Sequence, residues 1–243
     1  MPPVSAPPRI LLVDDNAANL ILMRLFLGCD YRIDEAANGR EAVDRFAASA
    51  YDLIFMDLEM PVLDGHDATK AIRALELRQK RPPTPILILT AHSLDEQRDR
   101  CRVAGCSDFL IKPVRKAAIL AVLQRFLGRD TPAPDMPAPA PPQAAAPSPR
   151  ALLVDQERLS LLLPLFFDTA AKTLDTARLA LDRGDLDTAR RQGHKLKGSA
   201  LSYGFEAIGL AAKDLELAGE APHAAAALDR AARLLKAAGG KPF

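Results

Sequence analysis

The sequence predicts two structural units of different class. The first, over residues 9–128, is α/β with a doubly wound, five-stranded parallel sheet; the second, over 151–240, is an all-α bundle of four or five helices. Three observations carry this. In the first half, apolar runs of strand length alternate with stretches of helical periodicity. Between Thr131 and Pro149, 8 of 19 residues are Pro and 6 are Ala, and none is aromatic or a β-branched aliphatic. Beyond that stretch no strand signal returns.

Buried parallel strands read as continuous apolar runs because helices cover both faces of their sheet. Ile10-Leu11-Leu12-Val13, Leu53-Ile54-Phe55-Met56, Ile86-Leu87-Ile88-Leu89 and Phe109-Leu110-Ile111 have that form. Tyr31-Arg32-Ile33-Asp34 is weaker and belongs nearer an edge. Helices are predicted over 17–28, 39–48, 66–79, 95–104 and 114–127, with Gly28, Gly105 and Gly128 where helices stop. In the second unit they are predicted over 156–182, 186–203, 205–219 and 223–238. Asp185 is placed to cap the second of these after Gly184 ends the first. Pro164 calls for a break or a first-turn position, which would set 156–163 apart as a short helix.

Composition narrows the class. Apolar residues make up 49 % and charged residues 26 %, as in ordinary globular chains. Lys+Arg 32 against Asp+Glu 31 leaves no basic excess to draw the chain onto nucleic acid or an anionic membrane, and no DNA-binding motif appears. The apolar stretch from Leu159 to Phe167 is half of the roughly 18 residues that a membrane span needs. Residues 1–8 form a tail without the charged head and apolar segment of an export signal. Cys29, Cys101 and Cys106 are odd in number and lack metal-ligand spacing, which fits a reducing compartment better than a disulfide framework. The expected location is therefore cytoplasmic. Residues 129–150 read as a linker, since proline neither continues a helix nor donates to a ladder. At roughly 3.1 Å per residue it would reach up to about 60 Å.

Chemistry on an open α/β sheet gathers at the carboxyl ends of its strands. Here the first strand ends in Asp14-Asp15, the third in Asp57, the fourth in Thr90 and the fifth in Lys112. Three carboxylates crowded together repel one another, and a divalent cation holds them. Mg²⁺ fits, taking one or two carboxylates along with waters and phosphate oxygens. Taken singly, each of these residues has a bland reading: an N-cap for Asp14 or Asp15, a loop hydroxyl for Thr90, a solvated charge for Lys112. Together at successive strand ends they form a constellation.

The motifs Leu12-Val13-Asp14-Asp15-Asn16, Met56-Asp57-Leu58-Glu59-Met60-Pro61, Asp64-Gly65, Leu89-Thr90-Ala91 and Lys112-Pro113 resemble the receiver domain of two-component response regulators, over nearly all of 9–128. The closest flavour is the receivers attached to hybrid sensor kinases. That resemblance implies a flavodoxin-like fold with Asp57 as phosphoacceptor. It implies Mg²⁺ held by Asp15, Asp57 and the backbone carbonyl of Glu59, with Asp14 on a metal water. Lys112 would pair with a phosphoryl oxygen, and Thr90 would hydrogen-bond the phosphoryl group while Phe109 follows it in a switch. Phe109 read alone is a buried strand aromatic. Ala91 leaves room beside Thr90. The Glu59 side chain, two residues past the acceptor, is expected to alter the lifetime of the aspartyl phosphate.

Of four histidines, His66, His92 and His223 fall at helix starts or loops. His194 lies inside a helix. At 100° per residue, Arg190, Arg191, Lys197 and Gly198 fall within about 60° of it, and Leu196 and Tyr203 fall opposite, toward the core. An exposed imidazole flanked by cations is thus expected. Gly198 costs the helix about 1 kcal/mol relative to alanine, so it needs a reason. In an arbitrary bundle this would be a solvated histidine on a basic face. However, His194-Lys195-Leu196-Lys197-Gly198-Ser199-Ala200, followed by Tyr203-Gly204, resembles the signature of histidine phosphotransfer (HPt) domains. The resemblance implies reversible phosphorylation of His194, with Lys197 favouring the phosphorylated state and Gly198, beside Arg190, letting a receiver approach.

The expected function is a phosphorelay in which Asp57 and His194 exchange a phosphoryl group, within one chain or with partner proteins. No glycine-rich phosphate loop of an ATP-binding kinase is present, so the expected partners are a sensor histidine kinase or other phosphodonor and a downstream receiver or HPt protein. A second possibility is a regulatory binding module whose bundle serves for docking or as a phosphate sink. A third, an aspartate-nucleophile phosphatase, is weakened because position 59 is Glu and not Asp.

Overall fold

The computed structural model describes residues 6–90, 94–128 and 149–239. The expected linker up to residue 148, Ala91 and His92 lie outside them. In the first unit β1 (Arg9–Val13), α1 (Ala17–Leu27), β2 (Arg32–Ala36), α2 (Gly39–Ala48), β3 (Leu53–Asp57), α3 (Gly65–Gln79), β4 (Ile86–Thr90), α4 (Leu94–Ala104), β5 (Asp108–Ile111) and α5 (Lys116–Leu127) follow in strict alternation. All five strands are parallel, in the order β2-β1-β3-β4-β5. The weak second strand is an edge strand, as its polar composition foretells.

Alternate residues of each strand serve opposite faces. Leu11, Val13, Ile54, Met56, Ile86 and Ile88 meet Phe46 of α2 and Ile72 of α3 on one side. Ile10, Leu12, Leu53, Phe55, Leu87 and Leu89 meet Leu20 and Met23 of α1 and Ile119 and Leu123 of α5 on the other. Full burial of such side chains contributes about 1.5–3 kcal/mol each, which makes this sheet a rigid platform for whatever stands on its strand ends. Winding reverses between β1 and β3, and the crevice beyond their carboxyl ends is the usual place for ligands on such sheets.

Neither Asp14 nor Asp15 caps α1. Asn16 does, its side chain accepting from the Ala18 N–H, so the bland reading of both aspartates fails. Cys101 and Cys106 stand side by side, with Cα atoms 5.2 Å apart. The turn at Gly105 brings them together, with the N–H groups of Gly105 and Cys106 both donating to the Cys101 carbonyl. Cys29 is free and exposed.

The second unit contains α6 (Pro149–Asp182), α7 (Leu186–Ser202), α8 (Glu206–Leu217) and α9 (Ala221–Ala237). Asp185 caps α7 as expected, accepting from the Thr188 N–H at 2.9 Å, and Gly184 takes φ +74° between the helices. The break expected at Pro164 does not occur; α6 runs through it. Proline costs a helix interior about 3 kcal/mol. Beyond it, one apolar face offsets that: Phe166, Ala170, Leu174 and Ala177 are all buried. Phe166 also stacks on Tyr203 and Phe205, with ring centroids 4.9 Å apart in each case.

Candidate functional site

In the first unit the strand ends converge as the sequence predicts. Ligand atoms of Asp14, Asp15 and Asp57 all lie within 4.8 Å of one another. Lys112 follows β5, and its buried ammonium sits 2.9 Å from Asp57 Oδ1 and 3.3 Å from Asp14 Oδ2. Thr90, also buried, ends β4, and its carbonyl accepts from the Lys112 N–H at 2.6 Å. Phe109 is half-buried and packs on the same core face as Met56 and Ile88. Glu59 is half-buried two residues beyond Asp57.

Local chain geometry holds Asp57 in place. Gly65, at the start of α3, brings its backbone against β3: a Cβ there would lie 2.3 Å from the Asp57 carbonyl oxygen. No other residue type fits. Gly65 N–H donates to the Leu58 carbonyl at 2.9 Å, closing the loop that follows Asp57. Within that loop Val62 is 80 % exposed at φ +71°, a region that β-branched residues avoid.

Three carboxylates face one ammonium, leaving an excess of negative charge. Burial pushes the Asp57 carboxyl up to about 7, with Asp14 and Asp15 adding to the effect and Lys112 opposing it. Burial works against the Lys112 ammonium, yet Asp14 and Asp57 hold its pKa above the ordinary lysine value. A proton or a cation relieves such an imbalance. Oxygen donors from two strand ends, clustered this closely and short of positive charge, fit a hard divalent ion such as Mg²⁺.

In the second unit His194 is not the exposed imidazole that the helical wheel suggests. It is 8 % exposed. Its Nδ1 lies 2.8 Å from Glu216 Oε1 on α8, and Lys197 Nζ lies 2.5 Å from the other oxygen of the same carboxylate. Burial alone would raise the Glu216 carboxyl; the hydrogen bonds from His194 and Lys197 outweigh it and bring it down to about 2. An ionised carboxylate can only accept, so Nδ1 carries a hydrogen, and in the neutral ring the lone pair lies on Nε2. Leu196 and Tyr203 are buried on the opposite side, as expected.

Gly193 explains how α8 comes so near. A Cβ there would lie 2.7 Å from the Glu216 nitrogen and 2.9 Å from the Ala212 carbonyl oxygen. Sequence reading missed both Gly193 and Glu216. The glycine was legible in principle, as a helix-weakening residue beside the histidine; Glu216 lies 22 positions away with no local signal. Arg190, expected beside the histidine, donates from Nε to the Ala218 carbonyl at the end of α8, at 2.7 Å. Gly198 is buried.

Two family models match this chain: the response regulator receiver domain over residues 10–124 and the Hpt domain over 161–240. The chain is 31 % identical over 94 % of its length to Sensor protein GacS of Pseudomonas syringae pv. syringae, of which it covers 27 %. It is 39 % identical to Two-component response regulator ORR41 of Oryza sativa subsp. japonica, over 49 % of this chain and 93 % of that protein. Among solved structures, the receiver domain of sensor histidine kinase PA1611 from Pseudomonas aeruginosa PAO1, with a magnesium ion in its active-site cleft, is 40 % identical, covering 51 % of this chain and all of that one at TM-score 0.46. The chain spans about a quarter or less of the sensor kinases it first matches (27 %, 14 % and 6 %). No helix among the described residues is long and apolar enough to cross a membrane.

Proposed function

Because this chain belongs to the two-component response regulators and joins their receiver domain to an Hpt domain, we propose that Asp57 and His194 are its two phosphoryl acceptors. In this reading the receiver occupies 9–128, the linker 129–150 and the Hpt bundle 151–240, in the cytoplasm. The observation that carries it is the pair of prepared nucleophiles: a carboxylate 2.9 Å from a buried ammonium, and an imidazole whose Nδ1 is tied to a carboxylate at 2.8 Å.

At the receiver, an Asp57 oxygen forms a bond to phosphorus as the donor's bond to phosphorus breaks, yielding an acyl phosphate. Phosphoryl transfer asks a protein chiefly for positioning and charge neutralisation. Lys112 supplies one positive charge. Asp15, Asp57 and the Glu59 carbonyl would hold Mg²⁺, with Asp14 on its water; when bound, the ion neutralises charge on the phosphoryl oxygens. Thr90 meets the modified acceptor, and Phe109 responds to it.

At the bundle, the lone pair of His194 Nε2 attacks the phosphorus of an acyl phosphate, and the aspartate leaves as a carboxylate. The ring becomes cationic, and its Nδ1–H stays on Glu216, which balances that charge. Lys197 faces the incoming oxygens, Arg190 belongs to the surface that a receiver approaches, and Gly198, itself buried, keeps side-chain bulk away from that face of the helix. The phosphate comes from a histidine kinase or another phosphodonor and leaves through a downstream receiver or Hpt protein.

The test is labelling of the full chain by acetyl phosphate or a kinase, followed by lability analysis. Wild type should carry an alkali-labile aspartyl phosphate and an acid-labile phosphohistidine. Asp57→Asn should lose the first, and His194→Gln the second together with onward transfer. A wild-type chain that takes no label, or a His194→Gln chain that still phosphorylates its partner, refutes the reading.

A further inference from the structure

One polar side chain beside the receiver site has no part in the reading above. Asn19 lies on α1, one turn past the Asn16 cap, on a face shared with buried Ala18, Leu20, Leu22 and Met23. It is itself only 9 % exposed. Its Nδ2 lies 3.1 Å from Asp14 Oδ1 and 3.0 Å from Asp14 Oδ2, a two-point grip on one carboxylate. Its Oδ1 is buried and accepts from no group among the described residues. Only this orientation of the amide is possible, since turning it over would set an oxygen against two carboxylate oxygens.

A half-satisfied amide on an apolar helix face is a poor choice for stability alone, because an unmatched buried polar atom costs free energy. What the amide does is hold Asp14. The same carboxylate accepts from the Asn16 N–H at 2.8 Å and lies 3.3 Å from Lys112 Nζ. Those two contacts take one oxygen each, whereas the Asn19 amide reaches both and competes with the ammonium for Oδ2. With three carboxylates needed to face one ion, the orientation of Asp14 bears directly on metal affinity.

We propose that Asn19 is a positioning residue of the metal site, fixing the Asp14 carboxylate so that it serves the cation and not Lys112. This rests on Mg²⁺ binding among Asp14, Asp15 and Asp57. Outer residues that orient metal-site carboxylates and histidines typically matter about 10–100-fold in metal affinity.

The experiment measures divalent-ion affinity of the full chain by electron paramagnetic resonance of free Mn²⁺, with Mg²⁺ as competitor, for wild type, Asn19→Leu and Asn19→Ala. Thermal unfolding of the metal-free proteins is measured in parallel. Both variants should bind about 10–100-fold more weakly, while metal-free Asn19→Leu melts no lower than wild type. Asn19→Ala, with the best of helix formers, decides the matter should the leucine variant not fold. Affinity within twofold of wild type in a folded variant overturns the proposal, as does a metal-free melting loss that accounts for the whole effect. A wild-type chain that binds neither ion overturns the metal site itself, and the inference with it.

Discussion

Replacing Glu216 with Gln keeps the size and one acceptor oxygen of this side chain but removes its charge, so it isolates the electrostatic part of the grip on His194 and Lys197. The carboxyl is held at about 2 against an ordinary 4.5, burial opposing the shift and the two hydrogen bonds driving it. At about 1.4 kcal/mol per pKa unit, the ionised form would stabilise the folded bundle by at most about 3.5 kcal/mol. The side chain keeps 19 % of its surface in solvent, and screening reduces the figure to about 1–2 kcal/mol. The sign follows from linkage. A carboxyl whose folded pKa is depressed contributes fully above its unfolded value, here 4.5, and loses that contribution as pH falls toward 2. Urea unfolding of the full chain, followed through resolved backbone resonances of Ala200 and Ala212, isolates the bundle. Wild type should exceed Glu216→Gln by about 1–2 kcal/mol at pH 7, with the gap narrowing below pH 4.5 and closing near pH 2. A gap of equal size at pH 7 and pH 2.5 would show that packing and not charge is at work, and no gap at pH 7 would refute the ion-pair argument outright.

Other perturbations follow from single contacts. Gly193→Ala forces a methyl to within 2.7 Å of the α8 backbone, which should destabilise the bundle by about 1–3 kcal/mol through overpacking and slow phosphorylation of His194; unchanged stability and rate would show that the helices part freely. Val62→Gly, at an exposed position with φ +71°, should stabilise the receiver by about 0.5–1 kcal/mol once the entropy cost of glycine is subtracted, and a lower unfolding midpoint contradicts this. Glu59→Ala should change the hydrolysis rate of the aspartyl phosphate, since the Glu59 side chain lies two residues past the acceptor; equal decay of labelled wild type and variant removes that role.

The receiver site was legible because its functional groups sit at the ends of strands that announce themselves. Once Ile10–Val13, Leu53–Met56 and Ile86–Leu89 are read as buried parallel strands, the rim residues follow from chain order. Local rules worked where the partner is local: Asp185 caps α7, and Gly184 turns the chain before it. They failed where the partner is distant. The helical wheel placed His194 correctly opposite Leu196, yet nothing near it revealed that Glu216 would cover one side of the ring. Gly193 was overlooked although the same reasoning that singled out Gly198 applied to it. Pro164 misled because a propensity rule was weighed without the burial of Phe166 and Leu174 downstream. Asn19 gave no sign at all, since an amide in a helix says nothing until its carboxylate is seen.

With Asp57 and His194 as the proposed acceptors, the contrast between them would set what each can tell the rest of the protein. A phosphoryl group on His194 Nε2 would give the bond from Nδ1 to Glu216 no cause to break, so the helical carrier would hold its freight in the same posture full or empty. Lys112, whose ammonium rests against Asp57 itself, would have to trade one oxygen for another the moment cargo arrived. On that reading one unit would be a silent courier, and the other a detector that registers every delivery.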